Sequence, residues 1–236
     1  MSSYIQPYPA TVSETPEADR AAFIRKTYAH LAGALALFTV LEGIFLNMGL
    51  GVQAIQLLGT SRYSWLMILG GFMLVSWIAE RWANNGTSLP TQYAGLALYT
   101  VAESLLFLPL ITMALLMTGD ASLLMQAAML TAGMVVGISA VAFTTRKDFS
   151  FLGGILKIGG FVAMGLIAAS FFLPISLGLW FSGAMIVFAS GAILYNTSNL
   201  IHRYAPGQHV AAALSLFASV ALLFWYILSF LMRMRR

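Results

Sequence analysis

Cysteine is absent from this 236-residue chain, which excludes disulfides, thiol catalysis and thiolate metal sites. Charge is scarce too. Only 8% of residues are Asp, Glu, Lys or Arg, against roughly 25% in a soluble domain. So few charges cannot clothe a water-facing surface, and 60% of the chain is hydrophobic. The solvent for most of this surface must be lipid. The basic residues stand singly, so no basic face for nucleic acid can be assembled. The three histidines, His30, His202 and His209, are dispersed and give no metal cluster.

Catalytic patterns are missing as well. There is no HExxH zinc-protease helix. Gly137-Ile138-Ser139-Ala140 resembles an intramembrane serine-protease GxSG only in part, and no later helix interior holds a histidine. Lys157 is the last lysine, so a final-helix Schiff base is excluded. No complete catalytic constellation is present, and the chain reads as a non-enzyme without a cofactor. A secretory signal is also missing. Met1 to about Ala22 is polar, with Pro7, Pro9, Pro16, Glu14, Glu17 and Asp19, and reads as a flexible cytoplasmic tail ahead of a transmembrane domain over 23–236.

What is present is a series of apolar runs. A span needs about 20 such residues to cross about 30 Å of hydrocarbon. Candidates are Thr27 to about Leu50, Tyr63 to Ala79, Thr91 to Met117, Ser122 to Thr145 and Phe151 to Leu173. Ile158 to His202 has no Lys, Arg, Asp or Glu, and those 45 residues would make a helix of about 67 Å. They must fold back, with the hairpin at Pro174 and Gly178 and a sixth span from about Ile175 to Ile201. Val210 to Met232 is the seventh. The chain therefore reads as an all-α membrane protein of seven transmembrane helices. Arg20, Arg25, Lys26, Arg81, Arg146, Lys147 and Arg203 fall on one side, which places the N-terminus in the cytoplasm. Arg62, Arg233, Arg235 and Arg236 fall on the other. A rival reading makes one segment re-entrant, giving six spans and a cytoplasmic C-terminus.

Intramembrane charges are the strongest pointers to function, because each is costly to bury. Glu42 lies about 22 Å along the first span and Glu103 about 18 Å along the third, which suggests similar depth. Buried without a cation, each should keep its proton. Two readings stand: a proton or cation site near the midplane, or two neutral acids bonded to neighbouring carbonyls. Lys157 reads as snorkelling to the interface. Glu80 and Arg81 read as meeting headgroups.

Two polar segments stand out. Thr144-Thr145-Arg146-Lys147-Asp148-Phe149-Ser150-Phe151-Leu152-Gly153-Gly154 makes a tight turn between spans four and five. Arg146 and Lys147 suit a helix C-terminus and the inner leaflet, and Asp148 or Ser150 can cap the next helix. Asn196 to Asn199, inside Gly191-Ala192-Ile193-Leu194-Tyr195-Asn196-Thr197-Ser198-Asn199-Leu200-Ile201-His202, should face protein or water rather than lipid. The hairpin near Pro206 and Gly207 brings Asn196 to the level of Ser215 and Ser219.

These two strings, with the order of seven apolar helices, resemble the Bax inhibitor-1 family of membrane proteins, and especially its bacterial YccA-like branch. The resemblance implies a bundle whose last helix is central within two three-helix layers, in a bacterial inner membrane. It also implies activities described for relatives. These are a pH-sensitive calcium leak, suppression of cell death in eukaryotes, and modulation of a membrane-bound ATP-dependent protease. Calcium-leak members carry an aspartate pair on helices six and seven that shares a proton and gates the pore. The matching positions here are Asn196 and Ser219, and neither ionises. A coupled pair titrates because two like charges cannot sit together, so that gate is expected to be missing. Calcium also loses its most obvious hard ligands. The resulting expectation is a membrane regulator that binds another membrane protein, such as a membrane-bound ATP-dependent protease. The alternative is a pH-sensitive or constitutive cation leak, carrying calcium or protons past Glu103, Glu42, Asn196 and Ser219.

Overall fold

The computed structural model describes residues 11–61, 63–86, 88–145, 147–173 and 176–235. Met1 to Ala10, Arg62, Thr87, Arg146, Pro174, Ile175 and Arg236 therefore lie outside the described residues.

Among the described residues, eight α-helices follow a short 3-10 turn at Val12–Glu14: α1 Glu17–Asn47, α2 Leu50–Thr60, α3 Ser64–Ala83, α4 Leu89–Thr118, α5 Ser122–Thr145, α6 Leu152–Phe172, α7 Leu179–His202 and α8 His209–Met234. All but α2 are long and apolar enough to cross a membrane. The chain is thus a multi-pass membrane protein with seven candidate spans, and α2 is an additional helix in the connection between the first two.

Local chemistry explains the boundaries. Pro16 precedes α1, and Glu17 and Asp19 occupy its first turn, where acids suit the dipole. The helix therefore starts ten residues before the expected Thr27. Before it, Val12 is fully buried, and its N–H donates to the Tyr204 carbonyl at 2.9 Å. Gly49, at φ 76°, separates α1 from α2, a conformation that suits glycine. Ser88 caps α4 by accepting the Thr91 N–H. The start of α7 falls at Leu179 rather than near Ile175, after extended backbone at Gly178.

α8 carries no charged residue before Arg233 in its last turn and is the most deeply buried of the spans, as befits a central helix. It packs against α1, α3, α4, α5 and α7. In one layer α4 lies against both α1 and α3; in the other α7 lies against both α5 and α6. The last helix is therefore central between two layers of three. The Val12–Tyr204 bond and the His30–His209 ring contact, 4.9 Å between centroids, define one end of the bundle, here the near end. Arg235 donates to Gln126 Oε1 at the opposite, far end. The two described termini thus lie at opposite ends, as seven crossings require.

Candidate functional site

The two layers are unevenly closed. On one flank Tyr28 of α1 donates to Ser139 of α5 at 2.9 Å, so the partial protease motif meets a tyrosine rather than a base. On the other flank α3 and α6 face each other across a cleft, and the rings of Tyr63 and Phe172 meet at its far end, 6.1 Å apart. The cleft has a volume of about 700 Å³ and is floored by α8. Glu80, Asn196 and Ser215 lie toward its near end, Glu103 lies in the middle, and Arg233 lies at the far end.

Neutral hydrogen bonds tie α7 to α8 at the near end. Asn196 Nδ2 donates to Ser219 Oγ at 2.7 Å and to the Ser215 carbonyl at 3.1 Å. Ser219 Oγ donates to the same carbonyl at 3.0 Å, and the Tyr204 hydroxyl bonds Ser215 Oγ at 3.0 Å. Burial pushes the Tyr204 hydroxyl pKa up, so this bond keeps its proton. Tyr204 is also the residue whose carbonyl receives Val12. A continuous chain of contacts therefore runs from the N-terminal turn to Asn196.

The two polar strings form one unit. The Phe149 N–H donates to Ser198 Oγ at 3.0 Å, and Ser198 Oγ donates to the Lys147 carbonyl at 3.4 Å. Gly153 packs against the Tyr195 ring so closely that an added Cβ would sit 3.0 Å from it. Asp148 does not cap α6, whose N-cap is Phe151. Instead it accepts the Ser150 N–H at 2.8 Å and the Ser150 hydroxyl at 3.1 Å. The backbone bond from Ser150 holds the Asp148 carboxyl pKa below its ordinary value. Lys147 and Asp148 are exposed, and Arg146 lies outside the described residues.

The two intramembrane acids are not equivalent. Glu103 lines the cleft; it is 5% exposed, and its Oε2 is buried without a partner among the described residues. Glu42 is equally buried with both oxygens unpartnered among the described residues, but it does not line the cleft. Their depths differ as well. Phe38, one turn before Glu42, meets Phe107, one turn after Glu103, at 5.2 Å. Glu42 therefore lies about two turns farther out, because α1 and α4 do not start at the same level. The structure brings Glu103, Asn196 and Ser219 to one cleft and leaves Glu42 elsewhere.

Sequence reasoning missed Glu80. It lines the cleft rather than standing with Arg81, which lies over the Trp77 ring at 5.4 Å. It also missed the His30–His209 contact and the 3.0 Å bond between His30 Nε2 and the Tyr93 hydroxyl. Lys157 is exposed and does not line the cleft. Among the described residues no three His, Asp or Glu side chains converge as a metal site would require.

Comparisons with known proteins identify the family. The family profile described as inhibitor of apoptosis-promoting Bax1 matches residues 20–236. A protein of uncharacterised function from Pseudomonas aeruginosa is 31% identical over 204 residues, covering 85% of this chain and 84% of its own. Bax inhibitor 1 of Schizosaccharomyces pombe is 29% identical over 222 residues, covering 93% of this chain and 79% of its own. The Escherichia coli protein named modulator of FtsH protease YccA is 43% identical over 94 residues, covering 39% of this chain and 42% of its own. The chain belongs to the Bax inhibitor-1 family, in its bacterial YccA-like branch.

Proposed function

We propose that this chain is a membrane-embedded modulator of another membrane protein, a membrane-bound ATP-dependent protease, with its N-terminus in the cytoplasm. The observation that carries the reading is the 2.7 Å Asn196–Ser219 hydrogen bond. At the place where the family resemblance implies a titrating carboxyl pair, this chain has a neutral pair that does not ionise. What supports the choice of partner is the 43% identity to a relative named for modulating a protease. What supports the cytoplasmic face is the cluster of Arg20, Arg25, Lys26, Arg81, Lys147 and Arg203 at the near end.

The N-terminal segment is the natural contact for such a partner, because Val12 ties it to Tyr204 and so to that pair. Removing residues 1–10 leaves Val12 and α1 in place. In membranes holding the protease and a membrane substrate, the full chain should slow degradation. The shortened chain should lose that effect while its melting temperature stays unchanged. Equal effects from both would remove the N-terminal segment from the account.

A second reading, a constitutive cation leak, is favoured by one feature, the cleft holding Glu103 and Glu80. Dye-loaded liposomes test it. Calcium or proton flux above that of empty vesicles, lost in Glu103→Gln, would support the leak; flux equal to that of empty vesicles would remove it.

A further inference from the structure

We propose that the cleft is a binding site for a lipophilic organic cation, a hydrophobic amine or a quaternary onium ion, whose charge sits at Glu103. The geometry around this acid has the features such a ligand needs. Glu103 is 5% exposed, it borders the cleft, and its Oε2 has no partner among the described residues. A carboxylate in apolar surroundings is stable only beside a cation. Among the described residues, Arg233 is the one basic side chain that lines the cleft. Tyr99 meets Phe217 at 6.0 Å and Phe107 meets Trp225 at 4.9 Å, which places Glu103 near the level of Ala221 on α8. Arg233 then lies about 18 Å away along the axis, too far to serve as the counter-charge.

The walls suit a diffuse charge rather than a hard ion. Trp65 stacks on Trp225 at 5.7 Å, and Phe107 meets the same indole edge-on, so these rings hold one another in place. Aromatic faces attract organic cations, and most strongly when water is excluded. A calcium ion wants six to eight oxygens, several of them carboxylate, and no group of three or more His, Asp or Glu side chains converges among the described residues. The volume of about 700 Å³ is that of an organic-ligand pocket. Glu80 adds a second negative group toward the near end, while the Asn196–Ser219 bond contributes no charge there.

The test uses the full chain in detergent, with tetraphenylphosphonium as the probe and equilibrium dialysis as the readout. Saturable binding at one site per chain is expected, with quenching of tryptophan fluorescence. Glu103→Gln should weaken it by at least about tenfold, the loss expected when a desolvated charge partner is removed. The uncharged isostere tetraphenylsilane, added to the unmodified chain, should compete poorly; this comparison stands even if the variant does not fold. Non-saturable uptake, unchanged affinity in folded Glu103→Gln, or equal competition by the silane would each overturn the proposal, leaving apolar partitioning only.

Discussion

Asn196 and Ser219 hold the near end of the cleft with one short hydrogen bond, whose net worth is about 1 kcal/mol. Its larger consequence is electrical: nothing in it titrates. Replacing both residues with aspartate in the same chain, Asn196→Asp with Ser219→Asp, should install a titration. At low pH the two carboxyls share a proton and bond. Losing that proton sets two negative charges side by side, so stability falls as pH rises. The melting temperature of the double variant should drop between about pH 5 and about pH 8 relative to the unmodified chain. Parallel melting curves across that range would show that the two positions are not in contact.

Asp148 carries a prediction of opposite sign. Its carboxyl pKa is lowered by the Ser150 N–H, so its support of the turn is present above the ordinary carboxylate pKa. That support is lost as pH falls through the lower folded value. The protection of the Ser150 amide, the slowing of its exchange relative to a free peptide at the same pH, should fall on acidification and already be low in Asp148→Ala at neutral pH. Residues set by hairpin counting, such as Asn196 against Ser219, were legible in the sequence. Glu80 was not, because its neighbour Arg81 suggested an interfacial pair, and only the α3–α6 cleft shows which way each side chain turns.

At the scale of elements, α3 and α4 are joined more tightly than any apolar run reveals. A Cβ at Gly95 would lie 2.5 Å from the Ala79 carbonyl oxygen and 2.6 Å from the Ala83 nitrogen. These are backbone atoms of a packed helix and cannot swing aside. Gly95→Ala should cost about 1–3 kcal/mol, read as a lowered thermal midpoint in detergent. Gly133→Ala should not lower the midpoint, since nothing lies within 4 Å of a Cβ there and alanine suits a helix interior at least as well as glycine. That the seven spans were readable follows from their length and hydropathy. α2 was not, because eleven residues after a glycine read as a connection. The early start of α1 was hidden because Glu17, Asp19 and Arg20 look like a polar tail. Acids in a first turn also favour a helix there.

For the whole molecule, the centrality of α8 was implied by family resemblance and is physically explained by the run of more than twenty residues without a charge before Arg233. The uneven closure of the two layers was not readable, because it depends on pairs such as Tyr28–Ser139 and Tyr63–Phe172 that lie far apart in sequence. Orientation can be tested cleanly in a chain that has no cysteine. With a membrane-impermeant maleimide on intact cells, Ser122→Cys at the far end should label and Ser13→Cys at the near end should be protected. The reverse pattern would invert the topology.

The central claim is modulation of a membrane protease, and the most direct measurement is reconstitution. Proteoliposomes containing a purified membrane-bound ATP-dependent protease and a membrane substrate are titrated with the full chain at constant lipid. Substrate degradation should slow saturably as the chain approaches equimolar amounts with the protease, with the same extent at each pH where the protease works. A degradation rate independent of the chain at every ratio would contradict that claim.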